Sequence, residues 1–314
     1  MISKMHLIKI APLLSAMFVV VSGKGFPEIS EFVVDEDRLS VRERNPCVPL
    51  KGSPLCMPKV NFGTGSSTHS LSNVSKLTSI WLDEVDGFGV DTAFNYFDEK
   101  QVGKGIANSA KSREEVFLTT KVGCDGYESS SEQALDNRKQ LNLEYVDLLL
   151  IHNRHNCSGI DRLNGTWGTL VDEYKAKHAR TVGVSNFNYT DFLDLEKLYT
   201  SDLRPVVNQI QMHIGCMPSN ELVAYCKKKN IILEAYSPLG KGRVLKNDVV
   251  RRIATKYNRT APQVAVNYLL QKGHIIAFTA HNPAYMKEDL RAAKDPFRII
   301  QGDMNELDNV KLPC

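Results

Sequence analysis

The chain has 314 residues, of which 42% are apolar, and its formal net charge is +3, with charges of both signs interspersed. This length and apolar content allow one large domain or two small ones, each with a sizeable core. Because the chain has no polybasic block and no zinc-type or nucleic-acid motif, we expect neither a nucleic-acid partner nor a metal site.

The N-terminus has the pattern of a secretory leader. Lys4 and Lys9 precede the apolar run IAPLLSAMFVVV (10–21), and two small residues follow it. The run is shorter than the about 20 residues of a membrane-spanning helix. We therefore predict that residues 1–23 are a signal peptide or signal anchor and that the protein enters the secretory pathway, in the ER lumen or secreted. Plastid delivery and a retained membrane anchor are the alternatives.

Secretory entry gives meaning to the sequons and the cysteines. Seven cysteines leave at least one unpaired. Cys47 and Cys56 flank a Pro/Gly loop in a polar extension (24–56), and we predict a disulfide between them in an oxidising compartment. Sequons also arise by chance, so they support glycosylation only mildly. The sequon asparagines are Asn73, Asn156, Asn164, Asn188 and Asn258.

Beyond the extension, strand-like and helix-like segments alternate. β-Branched runs recur near residues 58, 90, 116, 146, 180, 205, 231 and 275, and each but the last is followed by a helical pattern before the next. Eight such units predict one α/β domain, a (β/α)8 TIM barrel over residues 57–300, with a C-terminal tail at 301–314. In the helical segment 220–230, Cys226 shares a face with Leu222 and Val223, so we predict that it is a core residue.

Three successive predicted strands end in residues suited to proton transfer. DTAFNY (91–96) contains Asp91 and Tyr96, FLTTKVG (117–123) contains Lys121, and VDLLLIHNR (146–154) contains His152. Taken singly, each is more often a packed ring or a solvated charge than a catalytic group. The carboxyl ends of the strands of a parallel barrel gather its active site, so the joint pattern predicts a proton-transfer site.

The chain resembles the aldo-keto reductase family from about Met57 to Leu290. The resemblance implies reduction of a small aldehyde or ketone to an alcohol with NADPH or NADH, of which NADPH is favoured in the family. We also expect a monomer. The segments that carry the resemblance, in the family's order, are MPKVNFGTG, DTAFNYFDEKQVGKGI, FLTTKV, YVDLLLIH, VGVSNF, VVNQIQMH and EAYSPLGKG.

The resemblance and the chemistry of the four residues agree on their roles. Tyr96 would donate a proton to the carbonyl oxygen, Lys121 would lower the pKa of the phenol, and Asp91 would keep that ammonium charged. His152 would hold the carbonyl in line as a polar group rather than as a base. Side chains cannot supply a hydride, so a redox cofactor is required.

The chain has no GxGxxG turn, and the resemblance implies a different nicotinamide pocket. Ser185, Asn186 and Gln209 would bind the carboxamide, and Tyr236 would stack on the ring. Each also has an ordinary structural explanation, such as a turn residue for Asn186 or a core ring for Tyr236. The remaining expected cofactor contacts are Gly63, Thr64 and Asp91 near the nicotinamide, Ser237 and Leu239 near the phosphates, and Thr279, Glu288 and Asp289 after the last strand.

The chain departs from the family after the last strand. Thr279 and Tyr285 stand where the family has a lysine and an arginine that clamp the adenosine 2′-phosphate, and Asp289 replaces an asparagine. Charge-assisted contacts contribute about 1.5–3 kcal/mol each, so the choice between NADPH and NADH is left open. The nearby cations that would substitute are Lys272, Lys287 and His281.

A second departure follows His152, where many relatives have Trp-Pro and this chain has Asn153 and Arg154. We expect Tyr96, His152, Asn153 and Arg154 to contact the substrate, with Arg154 binding an anionic group such as a carboxylate through its bidentate fork. An Arg154 that points to solvent is the alternative. The altered clamp and the leader also leave a second functional hypothesis, a nucleotide-binding accessory protein without useful turnover.

Overall fold

The structure is a computed structural model that describes residues 45–65, 71–199 and 202–314. The predicted leader and most of the predicted extension lie outside the described residues. Within those ranges, no helix has both the length and the apolar character required to cross a bilayer.

Ten strands are described. The first two, β1 (Cys47–Pro49) and β2 (Cys56–Pro58), pair as an antiparallel hairpin. The other eight are parallel and close into a barrel, with β10 paired to both β3 and β9, which confirms the predicted (β/α)8 fold. The barrel strands are β3 (Val60–Gly63), β4 (Gly89–Asp91), β5 (Phe117–Val122), β6 (Val146–Ile151), β7 (Ala179–Ser185), β8 (Val207–Gln211), β9 (Ile232–Tyr236) and β10 (Ile275–Phe278).

Helices follow the barrel strands, and side-chain caps define several of their ends. Ser219 caps one helix by accepting a hydrogen bond from the Leu222 amide, and Thr260 and Gln263 form a capping box on another. The described helices are α1 (Leu71–Asp83), α2 (Glu99–Ala107), α3 (Tyr127–Leu141), α4 (Ile160–Lys175), α5 (Tyr189–Glu196), α6 (Asn220–Lys229), α7 (Asp248–Lys256), α8 (Ala261–Gln271), α9 (Pro283–Lys294) and α10 (Gln301–Asn309).

The hairpin closes the amino end of the barrel with apolar side chains. Leu50, Leu55 and Met57 are buried there against strand-start residues such as Phe117 and Ile275. A second, larger core lies between the barrel and its helices. Since the amino end is sealed by apolar packing, the polar residues at the carboxyl ends of the strands are left to form a cavity.

Three disulfides join the described cysteines. The predicted Cys47–Cys56 bond is confirmed across the hairpin, with a Cα–Cα distance of 5.5 Å. Two bonds were not predicted. Cys124–Cys157 links the segments that follow β5 and β6, and Cys216–Cys314 ties the C-terminus to the segment after β8. Cys226 is the remaining thiol and is a buried core residue, as predicted.

Candidate active site

A buried ion pair lies at the carboxyl ends of two adjacent strands. Lys121 on β5 is fully buried, and its Nζ lies 2.6 Å from Oδ1 of Asp91 on β4. The same ammonium donates to the Thr92 carbonyl at 2.9 Å. Burial lowers the pKa of Lys121, but Asp91, Tyr96 and Glu234 together outweigh burial and the net pKa is raised, so the amine stays charged.

Tyr96 and His152 complete the predicted group of four. The Tyr96 hydroxyl lies 3.5 Å from Nε2 of His152, and the Lys121 Nζ lies 5.1 Å from the centre of the phenol ring. A short 3-10 turn (Phe94–Tyr96) directly after β4 places the phenol over the ammonium. The structure therefore brings the four side chains together, as the strand-end pattern predicted.

The protonation states differ in one respect from expectation. Burial raises the pKa of Tyr96 more than Lys121 lowers it, so the predicted net lowering is wrong and the residue is a neutral phenol at neutral pH. Burial, together with the Lys121 charge, lowers the pKa of His152 to about 3. His152 is therefore a neutral imidazole, which agrees with an orienting role rather than that of a base.

Asp91, Tyr96 and His152 line a cavity of about 360 Å³, and most of the predicted nicotinamide pocket lines it too. Asn186 and Ser237 have positive φ angles of 58° and 53°, which re-aim the chain at the ends of β7 and β9. Thr64 instead lies behind the site, with its amide and hydroxyl bonded to the Asp91 carbonyl. Predicted residues in the lining are Gly63, Asp91, Tyr96, His152, Asn153, Ser185, Asn186, Gln209, Tyr236, Ser237 and Thr279; Thr64, Lys121, Arg154, Leu239, Glu288 and Asp289 lie outside it.

The polar side of the cavity suits a nicotinamide carboxamide. The Tyr236 hydroxyl donates to Oδ1 of Asn186 at 2.9 Å, which holds the half-buried phenol ring beside the amide. Asn186 in turn donates to the His152 carbonyl at 3.0 Å. Next to them, Ser185 and Gln209 add a hydroxyl and a second amide. An aromatic face beside amide and hydroxyl groups fits a flat ring that carries a carboxamide.

The far end of the expected cofactor site lacks the family's clamp. Thr279 is uncharged, and Tyr285 on α9 is 60% exposed. Asp289 is buried, and burial raises its pKa to about 7. Of the suggested substitutes, Lys272 is paired with Asp308 at 2.8 Å, so its charge is already engaged.

The structure gives no support to the predicted substrate role of Arg154. Its guanidinium lies 3.6 Å from Asp191 and 3.5 Å from Asp194, both on α5, and it also donates to the Cys157 carbonyl. The two carboxylates of α5 neutralise its charge, and Arg154 does not line the cavity. The wall beside Tyr96 is formed instead by Asn95, Asn153 and Asn156, of which Asn95 and Asn156 were not predicted. Their proximity to Tyr96 and His152 in the sequence was the available signal.

Sequence reasoning also missed two buried polar residues beneath the cavity, Asn61 and Glu234. Gln209 donates to Asp91 and also to Glu234, each at 2.8 Å. Asn61 donates to the other oxygen of Glu234 at 2.9 Å. Glu234 lies two residues before Tyr236 on β9, so both face the same side of the strand, and that spacing was the signal.

Comparison with known proteins identifies the family. The model of the aldo/keto reductase family matches residues 89–311. The chain is 33% identical over 269 residues to 9,11-endoperoxide prostaglandin H2 reductase of Trypanosoma cruzi, covering 84% of this chain and 91% of that protein. It is 37% identical over 224 residues to glyoxal reductase of Bacillus subtilis, covering 70% and 77%.

Comparison with solved structures identifies the same family. The crystal structure of MGS-M4, an aldo-keto reductase from a Medee basin deep-sea metagenome library, matches with a TM-score of 0.74 and 30% identity, over 82% of this chain and 92% of that one. The chain therefore belongs to the aldo/keto reductase family and is a nicotinamide-dependent oxidoreductase that reduces an aldehyde or ketone.

Proposed function

We propose that the enzyme reduces small hydrophilic carbonyl compounds, such as dicarbonyls and hydroxyaldehydes. The observation that carries this proposal is the amide wall beside Tyr96 and His152, formed by Asn95, Asn153 and Asn156. Amides donate and accept hydrogen bonds, whereas an apolar substrate would leave them unpaired. The similarity to a glyoxal reductase supports the same substrate class.

Proton delivery follows from the protonation states at the site. When bound, the nicotinamide supplies the hydride that reaches the carbonyl carbon. Neutral His152 donates a hydrogen bond to the carbonyl oxygen and holds it near the Tyr96 hydroxyl, 3.5 Å from its own Nε2. Tyr96 then transfers its proton to that oxygen, and the Lys121 ammonium stabilises the phenolate that remains. Asp91 keeps Lys121 charged and in place.

The alternative, a nucleotide-binding accessory protein, has less support. The four proton-transfer residues meet, with Lys121 paired to Asp91, and three of them line an open cavity. The altered clamp changes only the expected 2′-phosphate contacts and leaves the reacting end intact.

A substrate panel tests the proposed specificity. With reduced nicotinamide, kcat/KM for glyoxal or glyceraldehyde should exceed that for propanal by up to about tenfold, since one hydrogen bond to an amide of the wall contributes about 0.5–1.5 kcal/mol. Asn95→Leu should narrow this ratio. Asn95→Gln, which keeps an amide at the same position, is the matched control and should preserve it. Preference for propanal or for a long lipid carbonyl would contradict the proposal.

The pH dependence tests the protonation states. Because the pKa of His152 is about 3 and that of Tyr96 is raised above 10, neither group titrates between roughly pH 5 and pH 9. We therefore expect neither His152 nor Tyr96 to produce a break in kcat/KM for reduction over that range. A break near pH 6.5 that disappears in His152→Gln would show instead that an imidazolium acts in the reaction.

The clamp departure predicts a weak discrimination between cofactors. We expect wild-type enzyme to use NADPH with little advantage over NADH. Thr279→Lys with Tyr285→Arg should raise the NADPH:NADH ratio of kcat/KM by tenfold or more, at about 1.5–3 kcal/mol per charge-assisted contact. Thr279→Gln with Tyr285→Gln is the uncharged control. An unchanged ratio in the charged variant would place the 2′-phosphate elsewhere.

We also propose that the protein folds as a monomer in the secretory pathway, with residues 1–23 as its leader. The disulfides pair six cysteines, which is typical of oxidising compartments. The asparagines of all five sequons are exposed. Asn156 lines the cavity, so the candidates for glycosylation are the other four, Asn73, Asn164, Asn188 and Asn258.

Mass spectrometry of the full chain expressed in animal cells tests this compartment. We expect loss of the leader, occupancy of at least one sequon, and three intact disulfides with Cys226 as the remaining thiol. Ser75→Ala, which removes one sequon, should lower the glycan mass if Asn73 is occupied. Free thiols at Cys47 and Cys56 in an unglycosylated chain would contradict the proposal.

A further inference from the structure

Two carboxyl groups hold the amide of Gln209 from behind. Gln209 is buried on β8 and lines the cavity. Its Nε2 donates to Oδ2 of Asp91 and to Oε2 of Glu234, each at 2.8 Å. Both amide hydrogens are therefore used inside the barrel. The carbonyl oxygen is the group that Gln209 has left to offer to the cavity.

Glu234 has two amide partners and a fixed position. It is fully buried on β9, and its Oε1 accepts from Nδ2 of Asn61 at 2.9 Å. Asn61 is anchored in turn by the Pro58 carbonyl at 3.1 Å. Burial and the nearby Asp91 raise the pKa of Glu234 to about 8. Each of its oxygens faces one amide donor, and this arrangement favours the Gln209 orientation seen in the structure.

The same hydrogen bonds reach the proton-transfer group. Asp91 accepts from Gln209 through Oδ2 and pairs with Lys121 through Oδ1 at 2.6 Å. A continuous chain of contacts thus runs from Asn61 through Glu234, Gln209 and Asp91 to Lys121. Gln209, which is expected to hold the carboxamide, and the Lys121 ammonium beneath Tyr96 therefore share the Asp91 carboxylate.

We propose that Glu234 is a positioning residue that fixes the Gln209 amide so that its carbonyl oxygen accepts a hydrogen bond from the nicotinamide carboxamide. The proposal rests on the assignment of this cavity to the nicotinamide. Without the Glu234 acceptor, one buried N–H of Gln209 loses its partner and the amide is free to turn over. If the Gln209 amide turned over, its NH2 group would face the cavity. It would then meet the NH2 group of the carboxamide, and two donors cannot form a hydrogen bond with each other.

Glu234→Gln is the near-isosteric test. The substitution puts an NH2 group against an amide hydrogen of either Gln209 or Asn61, so one of these side chains has to turn. We expect the Kd for reduced nicotinamide nucleotide to rise about tenfold, which corresponds to about 1.4 kcal/mol. The Kd for ADP-ribose, which has no carboxamide, should stay within twofold of wild type.

A double-mutant cycle separates positioning from general support of the fold. In a Gln209→Ala background, Glu234→Gln should cause no further loss of nicotinamide nucleotide affinity, because its effect passes through the missing amide. Additive losses, or equal losses for ADP-ribose and the nicotinamide nucleotide, would overturn the proposal. Circular dichroism melting of each variant identifies those that are folded.

A second variant keeps the proposal testable if Glu234→Gln does not fold. Asn61→Ser removes the other anchor of Glu234, and we expect a smaller loss with the same selectivity for the nicotinamide nucleotide over ADP-ribose. An equal loss for both ligands would overturn the proposal. Wild-type protein that binds ADP-ribose but not the nicotinamide nucleotide would overturn the cavity assignment, and the role of Glu234 with it. A wild-type enzyme that binds both but reduces only apolar carbonyls would contradict the proposed substrate class alone.

Discussion

The ion pair between Lys121 and Asp91 is the interaction on which the rest of the site depends. A fully buried ammonium is stable only when an opposite charge and hydrogen-bond acceptors surround it, and Asp91 at 2.6 Å and the Thr92 carbonyl supply them. Removing either partner would leave an uncompensated charge inside the barrel. The pair also sets the field in which Tyr96 and His152 act: it opposes ionisation of the imidazole and stabilises the phenolate formed on proton transfer.

The barrel places this pair by separating an apolar end from a polar one. Leu50 and Met57 of the hairpin seal the amino end, and the Lys121–Asp91 pair lies at the carboxyl end, where the loops form a cavity. The Cys124–Cys157 disulfide acts at that same end, because it links the segment after Lys121 to the segment after His152. The structure thus holds the two catalytic loops together covalently as well as by packing.

Local pattern predicted the features that depend on nearby residues. Buried strand runs, the four strand-end residues and the Cys47–Cys56 bond all follow from spacing within one segment or one repeat. The features it missed depend on packing between distant segments. Cys216 and Cys314 are 98 residues apart and meet only after the barrel closes. Arg154 turns from the cavity because α5 presents Asp191 and Asp194 to it.

Because packing between distant segments is not visible in a local motif, the pKa of Tyr96 was predicted wrongly and Glu234 was not predicted as a site residue. The pKa of Tyr96 is raised because burial outweighs the Lys121 charge, and the degree of burial is not visible in the DTAFNY motif. Glu234 lies within an apolar strand run, where a single acid reads as an interruption. Its partners, Gln209 and Asn61, come from strands far apart in the chain.

The central claim is that Tyr96, held over the Lys121–Asp91 pair, donates the proton. The most direct measurement is single-turnover reduction by Tyr96→Phe, with nicotinamide nucleotide binding measured on the same protein. We predict unchanged nucleotide affinity and a rate lower by about 10² to 10⁴, the usual contribution of a positioned general acid. A reduction rate equal to that of the wild type would remove Tyr96 from the acid role and contradict the mechanism.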